Sequence, residues 1–300
     1  MSPKKNVSTV TNTTAQAIVK KLKRQDAIFS TLGLLVLLSA LLVLVVLIYD
    51  MAQTGWPRLN FNFFTSYPSR FAERAGILAG WVGSLLVVMT TALLAIPLGI
   101  AAGIYLEEYS QKNWFTRVIE INILNLAGIP SIIYGIMALS LFVYQLALKQ
   151  SVITAGLTLA LLILPIIIVA TREAIKTVPS HIREASYSLG ATRWQTIRYH
   201  ILPYSFGGIM TGVVIALSRA IGETAPLLTV GAVTFIGFLP TSLMDSYTVL
   251  PIQMFNWLSR PQEEFHVNAA AAGLVLLSMT LLLNGLAIYI RYHFRKKYKW

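Results

Sequence analysis

Residues 184–203 read EASYSLGATRWQTIRYHILP, a charged island between two long apolar runs. Glu184-Ala185-Ser186 opens it, Gly190 follows six residues after the glutamate, and Pro203 closes it thirteen residues after the glycine. A glycine set between two polar helical patterns predicts helix, left-handed turn, helix. The apolar runs on either side, 150–171 and 204–218, make this a loop that emerges from a membrane and returns to it. Five charge-free runs, 27–49, 77–106, 121–148, 150–171 and 267–290, are long enough to cross the hydrocarbon core as helices. The run 204–218 is shorter and continues into Arg219 and Glu223, whose charges then face protein rather than lipid. The expected fold is an all-α integral membrane protein with six transmembrane helices.

Composition agrees. Of the 300 residues, 56% are hydrophobic and 12% charged, with a mean hydropathy of +0.67. Soluble domains carry about 25% charged residues. The net charge of +12 does not point to nucleic acid. With six spans and a cytoplasmic N-terminus, 18 of the 24 Lys and Arg fall in cytoplasmic segments and five in external ones. The positive-inside rule accounts for that excess. No basic stripe with interleaved aromatics is present, so no nucleic-acid partner is expected. The chain has no cysteine, hence no disulfide framework.

The chain divides into a cytoplasmic tail over 1–26, a first span over 27–49, a core over 77–290 and a basic cytoplasmic tail over 291–300. The core contains the loop 172–203. Residues 1–19 are rich in Ser, Thr and Asn and are expected to be a mobile tail. The run 77–106 is too long to stand straight, and tilt, a kink at Pro97 or an interfacial start absorbs the excess. Its pairs Gly76/Gly80 and Gly99/Gly103 suit close helix packing within one subunit. Pro130 breaks the third span, because it removes a donor and disfavours helix at Ile129. A pore-lining broken helix and a tolerated kink both fit there. Residues 224–244 are apolar but interrupted by Pro226, Gly231, Gly237 and Pro240, which predicts a re-entrant or interfacial segment.

Within the island, Ser180 is expected to cap a first helix, Gly190 to end it, and a second helix to run from about Thr192 to His200 before Pro203 opens the fifth span. That unit presents Arg183, Glu184, Arg193 and Arg198 to a cytosolic partner. In the following helix, Arg219 and Glu223 lie four apart on one face. Each charge costs roughly 2.5–3.5 kcal/mol at a bilayer centre. Their mutual pairing is one explanation. The other is an anion path, since a guanidinium donates paired hydrogen bonds to oxyanions and keeps its proton.

The island resembles the EAA loop of type I ABC importer permeases. Glu184, Ala185, Gly190, Leu202 and Pro203 match; Ser186 stands where a second alanine is usual, and His200 where an aliphatic residue is usual. Four further stretches resemble the PstA-type phosphate permeases: PLGI at 97–100 with YLEEY at 105–109, GIPSIIYG at 128–135, GATRWQT at 190–196 and SRAIGETAPLL at 218–228. The resemblance covers about residues 77–290. It implies a permease subunit of a high-affinity phosphate importer in the bacterial cytoplasmic (inner) membrane, multi-pass, with both termini cytoplasmic. It implies a homologous PstC-type permease, two PstB-type ATPase subunits and a PstS-type phosphate-binding protein. ATP and Mg belong to the ATPase partner, so this chain needs no cofactor and is not an enzyme. Arg183, Glu184, Ala185, Gly190 and Pro203 are then the coupling residues, and Arg219 and Glu223 line the anion path. Another oxyanion, molybdate or sulfate, is an alternative substrate. An intramembrane enzyme is a remote alternative, because the histidines are scattered and no H-E-x-x-H, G-x-S-x-G or P-loop motif occurs.

Overall fold

The computed structural model describes residues 7–297 apart from 112 and 234. Among them are twelve α-helices and no strand. They are α1 (Val7–Gly55), α2 (Phe61–Thr65), α3 (Leu78–Ile104), α4 (Trp114–Leu126), α5 (Ser131–Ala138) and α6 (Val152–Lys176). Then follow α7 (Ser180–Ser188), α8 (Arg193–Thr196), α9 (Leu202–Ile221), α10 (Ala225–Val230), α11 (Leu250–Leu258) and α12 (Glu263–Lys297). Three π-helical segments, Tyr105–Tyr109, Leu139–Gln145 and Ile197–Ile201, extend α3, extend α5 and precede α9.

The chain splits into two compact units, Met1–Gln53 and Thr54–Trp300. In the first, helix begins at Val7, so the expected mobile tail is helical from that point. Residues 7–26 contain no Gly or Pro to break it, and 1–6 lie outside the described residues. In the second unit, α3, α6 and α9 form the core. Gly99 and Gly103 of α3 face Ile167 and Thr171 of α6, where an added Cβ would come within 2.6 Å. These glycines bring two helix backbones of one subunit together, the packing role expected of them.

The contacts also fix direction. Thr90, Gly99 and Gly103 meet Gly156, Ile167 and Thr171 in order, so α3 and α6 are parallel. Gly208 and Gly212 meet Ala174 and Ala170, so α9 runs opposite to α6. Ser218 Oγ donates to Asn284 Oδ1 at 2.6 Å and Arg291 Nη1 to Thr211 Oγ1 at 2.8 Å, so α12 runs opposite to α9. Because α3 and α6 are parallel, the chain between them has returned from one end of the bundle to the other. Among the described residues, five helices are long and apolar enough to cross a membrane, and six when the bent pair α4–α5 counts as one span. The parallel arrangement requires that sixth crossing.

Pro130 marks the bend. α4 and the segment from Ser131 to Gln145 meet at 106°. The bend frees carbonyls of the α4 terminus, and Tyr134 Oη donates to Leu126 O at 2.8 Å. A broken membrane helix persists when protein groups satisfy such carbonyls. Pro165, in contrast, lies inside an unbroken α6.

After α9 and the short α10, the chain stays at one end of the bundle, turns at Ser242–Asp245 and re-enters helix at α11. Tyr247, Thr248 and Val249 are buried. Asp245 O and Leu243 O accept from Val152 N and Ile153 N, at 3.2 and 2.9 Å. The segment thereby satisfies orphan donors of the α6 N-terminus. Of the apolar run 224–244, Leu227, Val230, Ala232 and Ile236 are buried while Leu228, Phe235, Phe238, Leu243 and Met244 are exposed, so among the described residues the run packs one side on protein and forms no further spanning helix. The aromatic loop before α3 is anchored in the same way. Phe63 is buried against Trp257, and Arg58 donates to Asn268 Oδ1 and to the carbonyls of Ala72, Glu73 and Ala75.

Candidate functional site

Two charged regions lie at opposite ends of α9. At its N-terminal end, α7 and α8 form the hairpin that the island predicts. Gly190 has φ +80°, with Gly190 N bonded to Tyr187 O at 2.9 Å and Ala191 N to Ser186 O at 3.2 Å. That pair of bonds is the Schellman motif, which demands a left-handed residue at Gly190. Thr192 and Gln195 form a reciprocal capping box at the start of α8.

Two local expectations change. Ser180 does not cap α7: Pro179 occupies the N-cap position, no side-chain cap forms, and Ser180 is the first helical residue. The second helix does not stop before Pro203. Residues 193–221 are continuous helix through the π segment Ile197–Ile201. Pro203 lacks an N–H, and the wider i→i+5 turn just before it relieves the clash that a proline causes inside an α-helix. The hairpin is therefore joined rigidly to the fifth span.

The hairpin packs its apolar side inward. Ile175, Val178, Ile197 and Ile201 are buried together, with Ile182 against them. Ser186 Oγ and Thr196 Oγ1 are 2.8 Å apart and buried, linking the two arms. The departure from alanine at position 186 thus supplies an internal hydrogen bond. Glu184, Ala185, Arg193 and Arg198 are exposed. So are Tyr187, Trp194 and Tyr199, and Leu189 has 89% of its surface exposed.

Arg183 does not join that outward face. Its Nη2 lies 2.8 Å from Glu108 Oε1, and its Nε 3.2 Å from the same oxygen. Nη1 donates to Val178 O at 2.7 Å and Nη2 to Ile175 O at 3.1 Å. Arg183 is folded back onto the last carbonyls of α6, where its charge also suits the helix dipole. Glu107, Glu108, Glu120 and Arg172 are not among the residues expected to form a site. The available signal was two adjacent carboxylates closing a long apolar span at the basic end of the bundle, where a cation must meet them.

At the other end of α9, Arg219 occupies its last turn and Glu223 follows the Gly222 cap. Arg219 Nε lies 3.3 Å from Glu223 Oε1. The Arg219 side chain keeps 38% of its surface exposed against 15% for Glu223. A guanidinium has five donors, and the contact with Glu223 occupies one. Gly135 of α5 abuts Pro226 and Thr229 of α10, which holds the break beside the end of α9. The elements that carry Arg219, Glu223 and Tyr134 are thus fixed side by side. Among the described residues no group of three or more His, Cys, Asp and Glu is placed to hold a metal ion.

The sequence profile of the family described as "Binding-protein-dependent transport system inner membrane component" matches residues 95–300. The phosphate transport system permease protein PstA of Yersinia pestis is 33% identical over 280 residues, covering 92% of each chain. The phosphate transport system permease protein PstA 1 of Mycobacterium tuberculosis is 30% identical over 263 residues, covering 84% of each. A chain of a bacterial ABC transporter involved in alginate import superposes with a TM-score of 0.64 at 13% identity, over 92% of this chain and 99% of that one. A chain of the MetNI methionine ABC transporter in an inward-facing conformation gives 0.58 at 16% identity, over 73% and 95%. At such identities the likeness shows the shared fold of these transporter chains.

Proposed function

The chain belongs to the binding-protein-dependent transport system inner membrane components, and from that premise we propose that it is the permease subunit of an ATP-driven phosphate importer. Arg219 carries the reading for the substrate. It is a permanent cation at the end of a membrane helix, with one 3.3 Å partner and most of its donors unspent. A tetrahedral oxyanion takes the remaining donors in paired fashion. Glu223 holds the fork in place between passages and repels an anion that lingers.

The hairpin α7–α8 is the contact for a cytosolic ATPase, with Glu184 and Ala185 exposed on α7, Gly190 at its turn and Pro203 at its junction with α9. A homologous PstC-type permease completes the path, two PstB-type ATPases bind ATP and Mg, and a PstS-type protein delivers phosphate. Both termini are assigned to the cytosolic side by charge: Lys20, Lys21, Lys23 and Arg24 precede the first apolar run, and the end of α12 is basic like the hairpin.

Reconstituted complex with Arg219→Gln tests the substrate reading. Uptake of phosphate is expected to fall tenfold or more, by about 1.4 kcal/mol per decade, while the complex still assembles. Wild-type uptake in that variant removes Arg219 from the path. Competition by molybdate or sulfate in the wild-type complex decides which oxyanion is carried. Glu184→Lys tests the hairpin: ATPase recovered with the permease is expected to drop, and unchanged docking and uptake reject the contact.

A further inference from the structure

The YLEEY stretch at 105–109 is the joint at which the membrane helices meet the hairpin. It forms a π-helical turn at the end of α3. Glu107 and Glu108 are adjacent, so they leave the helix in different directions. Glu107 reaches Arg172 of α6, with Oε2 3.5 Å from Nε, and Arg172 Nη2 continues to Glu120 of α4 at 2.7 Å. Glu108 reaches the hairpin instead. Its carboxylate receives Nε and Nη2 of Arg183, and its backbone carbonyl lies 3.4 Å from Arg193 Nη1 at the start of α8. The Glu108 side chain is 8% exposed.

Other contacts between the hairpin and α3 are apolar, from Ile104 to the cluster around Ile197. Apolar contact is non-directional and permits sliding. A charge-assisted fork in a buried setting is directional and fixes orientation. Beside the joint lies a cleft of about 560 Å³ bordered by Leu106, Ser110, Trp114, Arg117, Glu120 and Lys176.

We propose that Glu108 and Arg183 are positioning residues of the transport cycle: their ion pair makes the hairpin and the end of α3 move as one body, and Glu107, Arg172 and Glu120 extend that body to α6 and α4. The broken span α4–α5 is thereby tied to the hairpin at one end and to the neighbourhood of Arg219 at the other. This inference rests on the hairpin being the ATPase contact.

The test uses the complete transporter in proteoliposomes, measuring phosphate taken up and ATP hydrolysed in the same vesicles. Glu108→Gln and Arg183→Gln are each expected to lower phosphate moved per ATP by about threefold or more, the range by which coupling networks respond to mutation. The double variant is expected to fall no lower than the worse single, because one link is removed in all three. It strands no charge, so it keeps the measurement readable if a single fails to assemble. Glu108→Asp is expected to recover part of the ratio. A double variant with the wild-type ratio, or one whose loss is the sum of the singles, overturns the proposal. Lower thermal stability with an unchanged ratio does so too, since it marks a merely structural pair. Failure of the phosphate or hairpin reading appears separately, as a wild-type complex that moves no phosphate or a Glu184→Lys complex that docks normally.

Discussion

The two ends of α9 treat arginine in opposite ways. At the hairpin end, Arg183 and Arg172 are folded inward, each meeting carboxylate and, for Arg183, two backbone carbonyls. At the far end, Arg219 has one carboxylate contact and a half-open environment. Arg183 has Nε, Nη1 and Nη2 all engaged, whereas Arg172 makes one hydrogen bond, to Glu120, and its buried Nε has only the 3.5 Å contact with Glu107. Partner number thus separates Arg183 from Arg219: four hydrogen bonds from one guanidinium against one from the other.

The comparison breaks most readily at Arg219. Loss of its charge is expected to cut uptake tenfold or more, and Arg219→Lys should fall between, since an ammonium keeps the charge without the fork. Equal uptake by Lys and Arg variants would reduce the site to a point charge. Next comes Arg172→Met, which leaves Glu107 and Glu120 without their cation. Removing one partner of a largely buried pair costs on the order of 3 kcal/mol, to be read as earlier thermal unfolding of the purified permease. An unchanged unfolding temperature would show the brace to be dispensable. Gly190→Ala should cost about 1–2 kcal/mol of hairpin order through its left-handed backbone alone, because nothing lies within 4 Å of an added Cβ. Increased proteolysis of the hairpin checks this. Ser186→Ala should cost about 1 kcal/mol, by the same assay, because Thr196 Oγ1 keeps its bond to Thr192 O.

The smallest effect concerns Asp245. Its carboxylate accepts from Ser242 N, Thr241 N and Thr241 Oγ1, at 2.8, 2.8 and 3.0 Å, and these bonds hold it below the usual aspartate range. A depressed carboxylate stabilises the turn above the ordinary aspartate pKa and loses that contribution as pH falls through its folded value. Labelling of an introduced Leu243→Cys should therefore be flat from neutral pH down to mildly acid conditions and rise only in strong acid. A change near neutrality would assign the loop to another titrating group.

Much of this was legible in the residues. The apolar runs gave the spans, and Gly190 between polar helical patterns predicted the hairpin turn. The spacing of Arg219 and Glu223 predicted their contact. Pro130 announced a broken span, although not a bend of 106°. Other features were hidden for physical reasons. A proline at 203 suggested a helix boundary, and nothing local indicated that a π turn would carry the helix past it. Arg183 read as a loop cation facing solvent, because its partner Glu108 lies 75 residues away. A serine at 186 read as a deviation, because its partner Thr196 is across a turn whose closure depends on the left-handed glycine.

The sequence by itself determined that this chain is helical, membrane-embedded and carries its basic end with the hairpin. Those properties follow from periodicity, length and charge, which are local sums along the chain. Only the tertiary structure decided which arginine braces and which stays open. That choice depends on which carboxylates and carbonyls the packing of α3, α4, α6 and α7 brings within hydrogen-bond reach, and desolvated charges settle wherever such partners converge.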